Sequence, residues 1–292
     1  MIKILIPLIF QMMSFAASST KVIYGQDNRI SYSHASSHYQ ALADSTAGMV
    51  HDRHIKLSGS SYTFKASRFG GRLIGNMFDN GPICMDENFA DEKTLPDCSG
   101  FLVAKDILVT AGHCVRDQST CNSIKWVFGY TKEIAQRGRI SKENVYSCKK
   151  ILSRANAPKD FTILKLDRKV VNRSALRVST QKVRVGDEVV AIGHPSGLPT
   201  KISAGARVFK TTQNTFKTNL DTFSGSSGSA VIDERTSQVV GILVKGAEDF
   251  VRDGPGGCFR VNRCSEELEG SGCSGESVSR ISEIGLGKYL NN

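Results

Sequence analysis

From residue 69 onward the chain is written in short apolar stretches separated by turns. They fall at 100–104, 107–110, 161–166, 188–192, 204–211, 230–232 and 238–245. Each has the length of a strand, and the breaks between them are rich in Gly, Ser and Asn. Many short strands with Gly-rich turns point to an all-β sandwich or barrel. Helical periodicity is scarce. Its best candidate is the tail from 277 to 290, which Gly285 and Gly287 interrupt. No internal repeat stands out.

The flanks differ from this pattern. Lys3 followed by an apolar core at 4–13 and small residues at Ser14 and Ala16 reads as a secretory signal over 1–16. Residues 17–65 are polar and Ser-rich and read as an N-terminal extension or propeptide, with the folded domain expected over 66–292. No stretch beyond the signal is long and apolar enough to span a membrane as a helix. The eight cysteines suit an exported, disulfide-bonded chain, placed outside the cell or in the periplasm. None shows the Cys-x-x-Cys spacing of structural zinc sites, so no metal and no cofactor are expected. The formal charge of +10 is scattered along the chain, and the tightest groups are Lys149-Lys150 and Arg137-Gly138-Arg139. Nucleic-acid binders concentrate charge on one element, so nucleic acid is not expected as a partner. Residues 247–276, rich in Gly and Cys, read as a long loop without strand character, pinned by three cysteines.

Three local sequences carry chemistry. Thr110-Ala111-Gly112-His113-Cys114 follows an apolar stretch, Asp160 opens another, and Gly225-Ser226-Ser227-Gly228-Ser229-Ala230 forms a small-residue turn before a third. A serine hydroxyl needs a base to become a nucleophile at neutral pH, and imidazole has a suitable pKa. The imidazole in turn needs a carboxylate to fix its tautomer. Backbone N–H groups at Gly225 and Ser227 could then face a developing oxyanion. The order His, Asp, Ser is that of the chymotrypsin class. His34, His38, His51, His54 and His194 lack the sequence context of a base.

These motifs resemble the trypsin-like serine peptidase family, and within it the bacterial glutamyl endopeptidases. Thr-Ala-Gly-His-Cys resembles the general-base motif and Gly-x-Ser-Gly-Ser the nucleophile motif of that branch. Gly193-His194-Pro195 resembles its Gly-aromatic-Pro turn, and Val22-Ile23 with Asp27 and Arg29 the start of its mature enzymes. The resemblance covers 66–292. It implies two perpendicular antiparallel β-barrels of the chymotrypsin type with a short C-terminal helix, one barrel holding His113 and Asp160 and the other Ser227. It implies a Cys98–Cys114 disulfide closing the histidine loop and, less directly, Cys121–Cys148 and a pair among Cys258, Cys264 and Cys273. It also implies activity on protein or peptide substrates, in a monomer.

Ser226 stands where trypsin-like zymogens carry the Asp that pairs with the new N-terminus, so activation by that ion pair is not expected. Cleavage after Lys21 would expose Val22. Leu243 occupies the place of the histidine that holds acidic side chains in the glutamyl branch, which argues against an acid-specific pocket. Asp221 lies six residues before Ser227, at the place of the trypsin pocket carboxylate, with Thr222 beside it. Asp221 is expected as the main pocket charge, selecting Lys or Arg. Glu276 is expected on the opposite wall, with Val244 and Gly246 lining the same pocket. Phe223 replaces a half-cystine of trypsin, so that wall must be built differently. A catalytically silent binding protein on the same fold, an esterase, or an endopeptidase of non-basic specificity are the alternatives.

Overall fold

The computed structural model describes residues 22–76, 79–266 and 273–290; the expected signal at 1–16 lies outside them. Twelve strands form two closed antiparallel barrels. The first contains β1 (Thr46–His51), β2 (Cys98–Ala104), β3 (Ile107–Thr110), β4 (Ile124–Phe128), β5 (Val145–Ala155) and β6 (Phe161–Leu166). The second contains β7 (Glu188–Gly193), β8 (Lys201–Thr211), β9 (Thr215–Thr218), β10 (Ala230–Asp233), β11 (Gln238–Lys245) and β12 (Glu276–Arg280). Around each barrel the strands follow the same order: β1-β2-β3-β6-β5-β4 in the first and β7-β8-β9-β12-β11-β10 in the second. Arg29–Ser31 adds to the outer edge of β8.

The apolar stretches are continuous because both faces of these strands are buried. In β2 and β3, Leu102 and Leu108 turn into the first barrel beside Trp126 and Leu164. Their neighbours Phe101, Val103, Ile107 and Val109 turn outward onto the second barrel. There they meet Val190, Ile192, Ala230 and Ile232, while Val189, Ala191 and Val231 fill the second barrel's interior. One core inside each barrel and a third between them follow from the period of two.

Three expectations change. The boundary at 65/66 runs through the fold, because Thr46–His51 pairs with both β2 and β4 and closes the first barrel. The stretch looked like an extension because it is short and set among polar residues; its burial comes from non-local partners. The tail from 277 is not one helix. Its first residues belong to β12, hydrogen-bonded between β9 and β11, and only Gly287–Leu290 is α-helical. Finally, 247–276 contains a hairpin, Phe250–Arg252 with Phe259–Val261, and Arg263–Cys264 pairs in parallel with Ile23–Tyr24.

All eight cysteines are paired: Cys98–Cys114, Cys121–Cys148, Cys264–Cys273 and Cys84–Cys258. The last joins the 69–97 segment to the hairpin. Phe69, Phe223, Phe250 and Phe259 pack together beneath that join.

Candidate active site

His113 lies just beyond β3 and Asp160 just before β6, which pairs with β3 in register. Adjacent strand ends thus bring residues 47 positions apart in sequence together. The Asp160 carboxylate holds His113 at two points. Oδ1 accepts the His113 backbone N–H at 2.9 Å, and Oδ2 lies 2.8 Å from Nδ1. Engagement of Nδ1 leaves Nε2 as the ring atom for proton transfer. Gly112 is required by this approach, since a Cβ there would lie 2.4 Å from Ala155 O and 2.8 Å from Asp160 Oδ1. Asp160 itself has φ +34°, a strained conformation that sets its carboxylate under the imidazole.

Ser227 arrives from the second barrel, on the turn between β9 and β10. Its carbonyl accepts the Ser99 N–H at 2.8 Å and lies 3.7 Å from Cys114 Sγ. The Ser227 backbone is therefore seated on the disulfide that adjoins His113. Gly225 and Gly228 shape the turn, with φ +92° and +88°. At Gly228 a Cβ would lie 2.0 Å from Ser99 O. The Gly225 N–H has no hydrogen-bond partner among the described residues.

Ser99 is the residue that the sequence reading missed. Its hydroxyl donates to Gly225 O and accepts from His194 N, both at 2.9 Å, and Thr110 Oγ1 donates to its carbonyl. One buried side chain of the first barrel thus fixes two loops of the second. Only its place after Cys98 could have hinted at this.

The pocket residues separate. Asp221 is buried, and both carboxylate oxygens are occupied: Oδ1 by the Tyr24 N–H at 2.7 Å and Oδ2 by the Asn28 N–H at 2.8 Å. Asp221 anchors the 22–28 segment and does not supply the main pocket charge. Burial pushes its pKa up to about 7 despite those two donors. Glu276 is wholly buried, and Thr222 Oγ1 donates to its Oε2 at 2.6 Å. A Cβ on Gly246 would lie 2.1 Å from Glu276 Oε1. The Glu276 carboxylate therefore sits between the 221–223 and 244–247 segments, under Gly246. Val244, half-buried, packs against the core between the barrels. Phe223 stacks on Phe69, with the Arg29 guanidinium 3.9 Å from its ring centroid, so aromatic packing replaces the missing disulfide.

Lys217 and Lys245 flank Ser277 on the neighbouring strands. Lys217 Nζ donates to Gly275 O at 2.8 Å, and while burial lowers its pKa the nearby charge of Glu276 opposes that shift. His194 is buried, with Nδ1 3.1 Å from Leu198 O, and burial lowers its pKa to about 4. It is a structural residue of the turn. Cys98, His113 and Cys114 cluster closely, but both sulfurs are in a disulfide and offer no thiolate.

Residues 98–242, which run from the histidine-loop disulfide through Ser227, match the sequence profile of the trypsin-like peptidase domain. The chain belongs to the trypsin-like peptidase family. This trypsin-like peptidase has no match among curated proteins. Among solved structures it is similar to a Glu endopeptidase in complex with MPD, with 16% identity and a TM-score of 0.49 over 90% of this chain and 94% of that one. It is also similar to the inactive form of the Rv3671c protease, with 14% identity and a TM-score of 0.46 over 86% and 91%. Another inactive form of that protease, from M. tuberculosis H37Rv, shows 12% identity and a TM-score of 0.46 over 90% and 93%.

Proposed function

We propose that this trypsin-like peptidase is a secreted serine endopeptidase that cleaves after Lys or Arg through an acyl-enzyme. The two-point hold of Asp160 on His113, beside the disulfide that seats Ser227, carries the reading. Ser227 Oγ attacks the scissile carbonyl while His113 Nε2 takes its proton, and Asp160 stabilises the imidazolium. The N–H groups of Gly225 and Ser227 receive the oxyanion. His113 then protonates the leaving amine, and a water activated by the same imidazole releases the acyl group.

Primary specificity is assigned to Glu276 in place of Asp221. A carboxylate out of water attracts a cationic side chain more strongly than in water and repels an acidic one. Thr222 and Gly246 border that carboxylate. Cleavage after Lys21 belongs to the same reading. It is supported by the way Val22 onward is stitched into the fold: Ile23–Tyr24 pairs with Arg263–Cys264, and Asp221 accepts from Tyr24 and Asn28. Four disulfides are consistent with export.

A cleavage profile of the mature protein on a peptide library tests the assignment. Wild type should cut after Lys and Arg. Glu276→Gln should lower kcat/KM on those substrates about 100-fold relative to Leu at the same position, the loss of a desolvated charge-assisted pair. Cleavage mainly after Glu or aromatic residues, unchanged in Glu276→Gln, would sink the basic pocket while leaving the peptidase. N-terminal sequencing of the secreted protein checks the start at Val22.

A further inference from the structure

Beyond β1 the chain turns at Asp52–His54 into a small antiparallel sheet of three strands, Ile55–Ser58, Ser61–Phe64 and Arg139–Ser141. Its two faces differ. Period-two alternation puts Ile55, Tyr62, Phe64 and Ile140 on one face, where they pack with Val127 and Tyr130. The other face carries Lys56, Thr63 and Arg139, directly opposite one another across the three strands, with Ser58 opposite Ser61 beside them. The strand residues of this face include no carboxylate, no aliphatic and no aromatic side chain. Arg53, His54 and Lys65 join Lys56 and Thr63 in lining a hollow of about 460 Å³, which Ile55 and Phe64 complete. We propose that this face is a binding surface for a sulfated polysaccharide.

The charge is uncompensated. Lys56, Lys65 and Arg139 are exposed, and with Arg53 they have no carboxylate partner among the described residues. Exposed cations elsewhere do find one, as Lys132 with Asp91, Lys165 with Asp106 and Arg207 with Glu188. The acids near the sheet are engaged away from this face. Asp52 Oδ1 lies 2.9 Å from His51 Nδ1, and Glu143 lines a hollow with Leu57 and Tyr62 on the apolar side. Arg53 Nε donates to His54 Nε2 at 3.0 Å, and its two Nη groups have no partner among the described residues. Grouped like charges repel, and a bound anion relieves that repulsion.

The arrangement selects the class of anion. Strand spacing puts the Cα atoms of Lys56 and Arg139 about 10 Å apart, with a hydroxyl residue between them. A row of cations interleaved with hydroxyl groups suits a chain of repeated anionic groups better than one small ion. Single-stranded nucleic acid is held largely by stacking on aromatic side chains. The aromatic residues of this sheet, Tyr62 and Phe64, lie on the opposite face. Sulfate groups require only cations and hydrogen-bond donors. The binding surface is independent of the specificity assigned to Glu276.

The test is binding of a fluorescent heparin octasaccharide to the protein, followed by anisotropy at about 0.1 M NaCl. Hyaluronan of equal length and duplex DNA of equal charge serve as competitors. Lys56→Gln, Lys65→Gln and Arg139→Gln together should weaken binding about 30-fold, about threefold for each exposed charge. The same variant should lower the slope of log Kd against log salt by about two. Lys105→Gln, Lys149→Gln and Lys150→Gln remove the same charge from exposed positions elsewhere, and should change binding by less than about threefold. Unchanged circular dichroism and Tm show that each variant is folded. Heparin binding that survives the first triple substitution, or falls as far in the second, overturns the proposal. So does a wild type that does not bind heparin, or competition by hyaluronan or duplex DNA as effective as that by unlabelled heparin.

Discussion

The two barrels share one strand order but are held together by different chemistry. The first is closed around Trp126, Phe128 and Tyr146, with Cys98–Cys114 and Cys121–Cys148 packed into the same cluster. The second has an interior that is aliphatic apart from Phe216, ringed by buried charge. Lys201 pairs with Glu92, Arg29 pairs with Asp27 at 2.7 Å, and Asp221 and Glu276 lie close by. No disulfide joins two of its strands among the described residues. Ion pairs out of water recover their desolvation cost only with good geometry, so as a stabiliser this arrangement is inferior to apolar packing. The division of labour explains the difference. The first barrel has to hold an imidazole and a carboxylate still, which stapled apolar packing does well. In the reading proposed above the second forms a pocket that recognises charge, with the buried Glu276 bonded to Thr222 on the segment that leads to Ser227.

The strongest way to break this comparison is at the seam. Ser227→Ala should remove about 10⁶ in turnover, and His113→Ala nearly as much, read as kcat on a peptide amide. Asp160→Asn should lose about 10⁴, because an amide facing Nδ1 selects the wrong tautomer. An Asp160→Asn enzyme with near-normal kcat would remove the first barrel's assigned role.

The second barrel should reveal its buried charge in the pH dependence of stability. The Asp221 pKa is raised to about 7, so its contribution is present at low pH and lost as pH rises toward 7. The His194 pKa is lowered to about 4, so its contribution is lost as pH falls from about 6.5 toward 4. The two slopes oppose, and wild-type stability should stay nearly level between pH 4 and 7. Asp221→Asn should lower stability throughout, since its amide N–H₂ faces a backbone N–H. It should also uncover the His194 slope, on the order of 3 kcal/mol, in urea unfolding at pH 4 and pH 7. A wild type that loses several kcal/mol in either direction over that range would contradict the pairing.

The smallest effect belongs to the first barrel. Replacing Cys121 and Cys148 by Ala should cost about 3 kcal/mol of stability through the loop they close. Because neither of these half-cystines hydrogen-bonds to His113 or Asp160 among the described residues, kcat at 25 °C should stay within about twofold. A large fall in kcat at unchanged stability would mean that this disulfide also positions the base.

Sequence alone determined the all-β class and the order of His113, Asp160 and Ser227, and the family resemblance the disulfide beside the histidine. These are local or ordinal properties: strand-length apolar stretches, Gly-x-Ser-Gly turns, a cysteine next to a histidine. Position-counting failed at Asp221, where an offset of six residues from Ser227 suggested a pocket floor and the carboxylate is bonded to Tyr24 and Asn28 instead. It failed again at Thr46–His51, a barrel strand within an apparently polar extension. Ser99 carried no local mark at all. In each case the deciding partner lies tens to hundreds of residues away. Which carboxylate is shielded, which is bonded to backbone and which faces the cleft depends on how the two barrels and the 22–31 segment close on one another, and only the tertiary structure decides that.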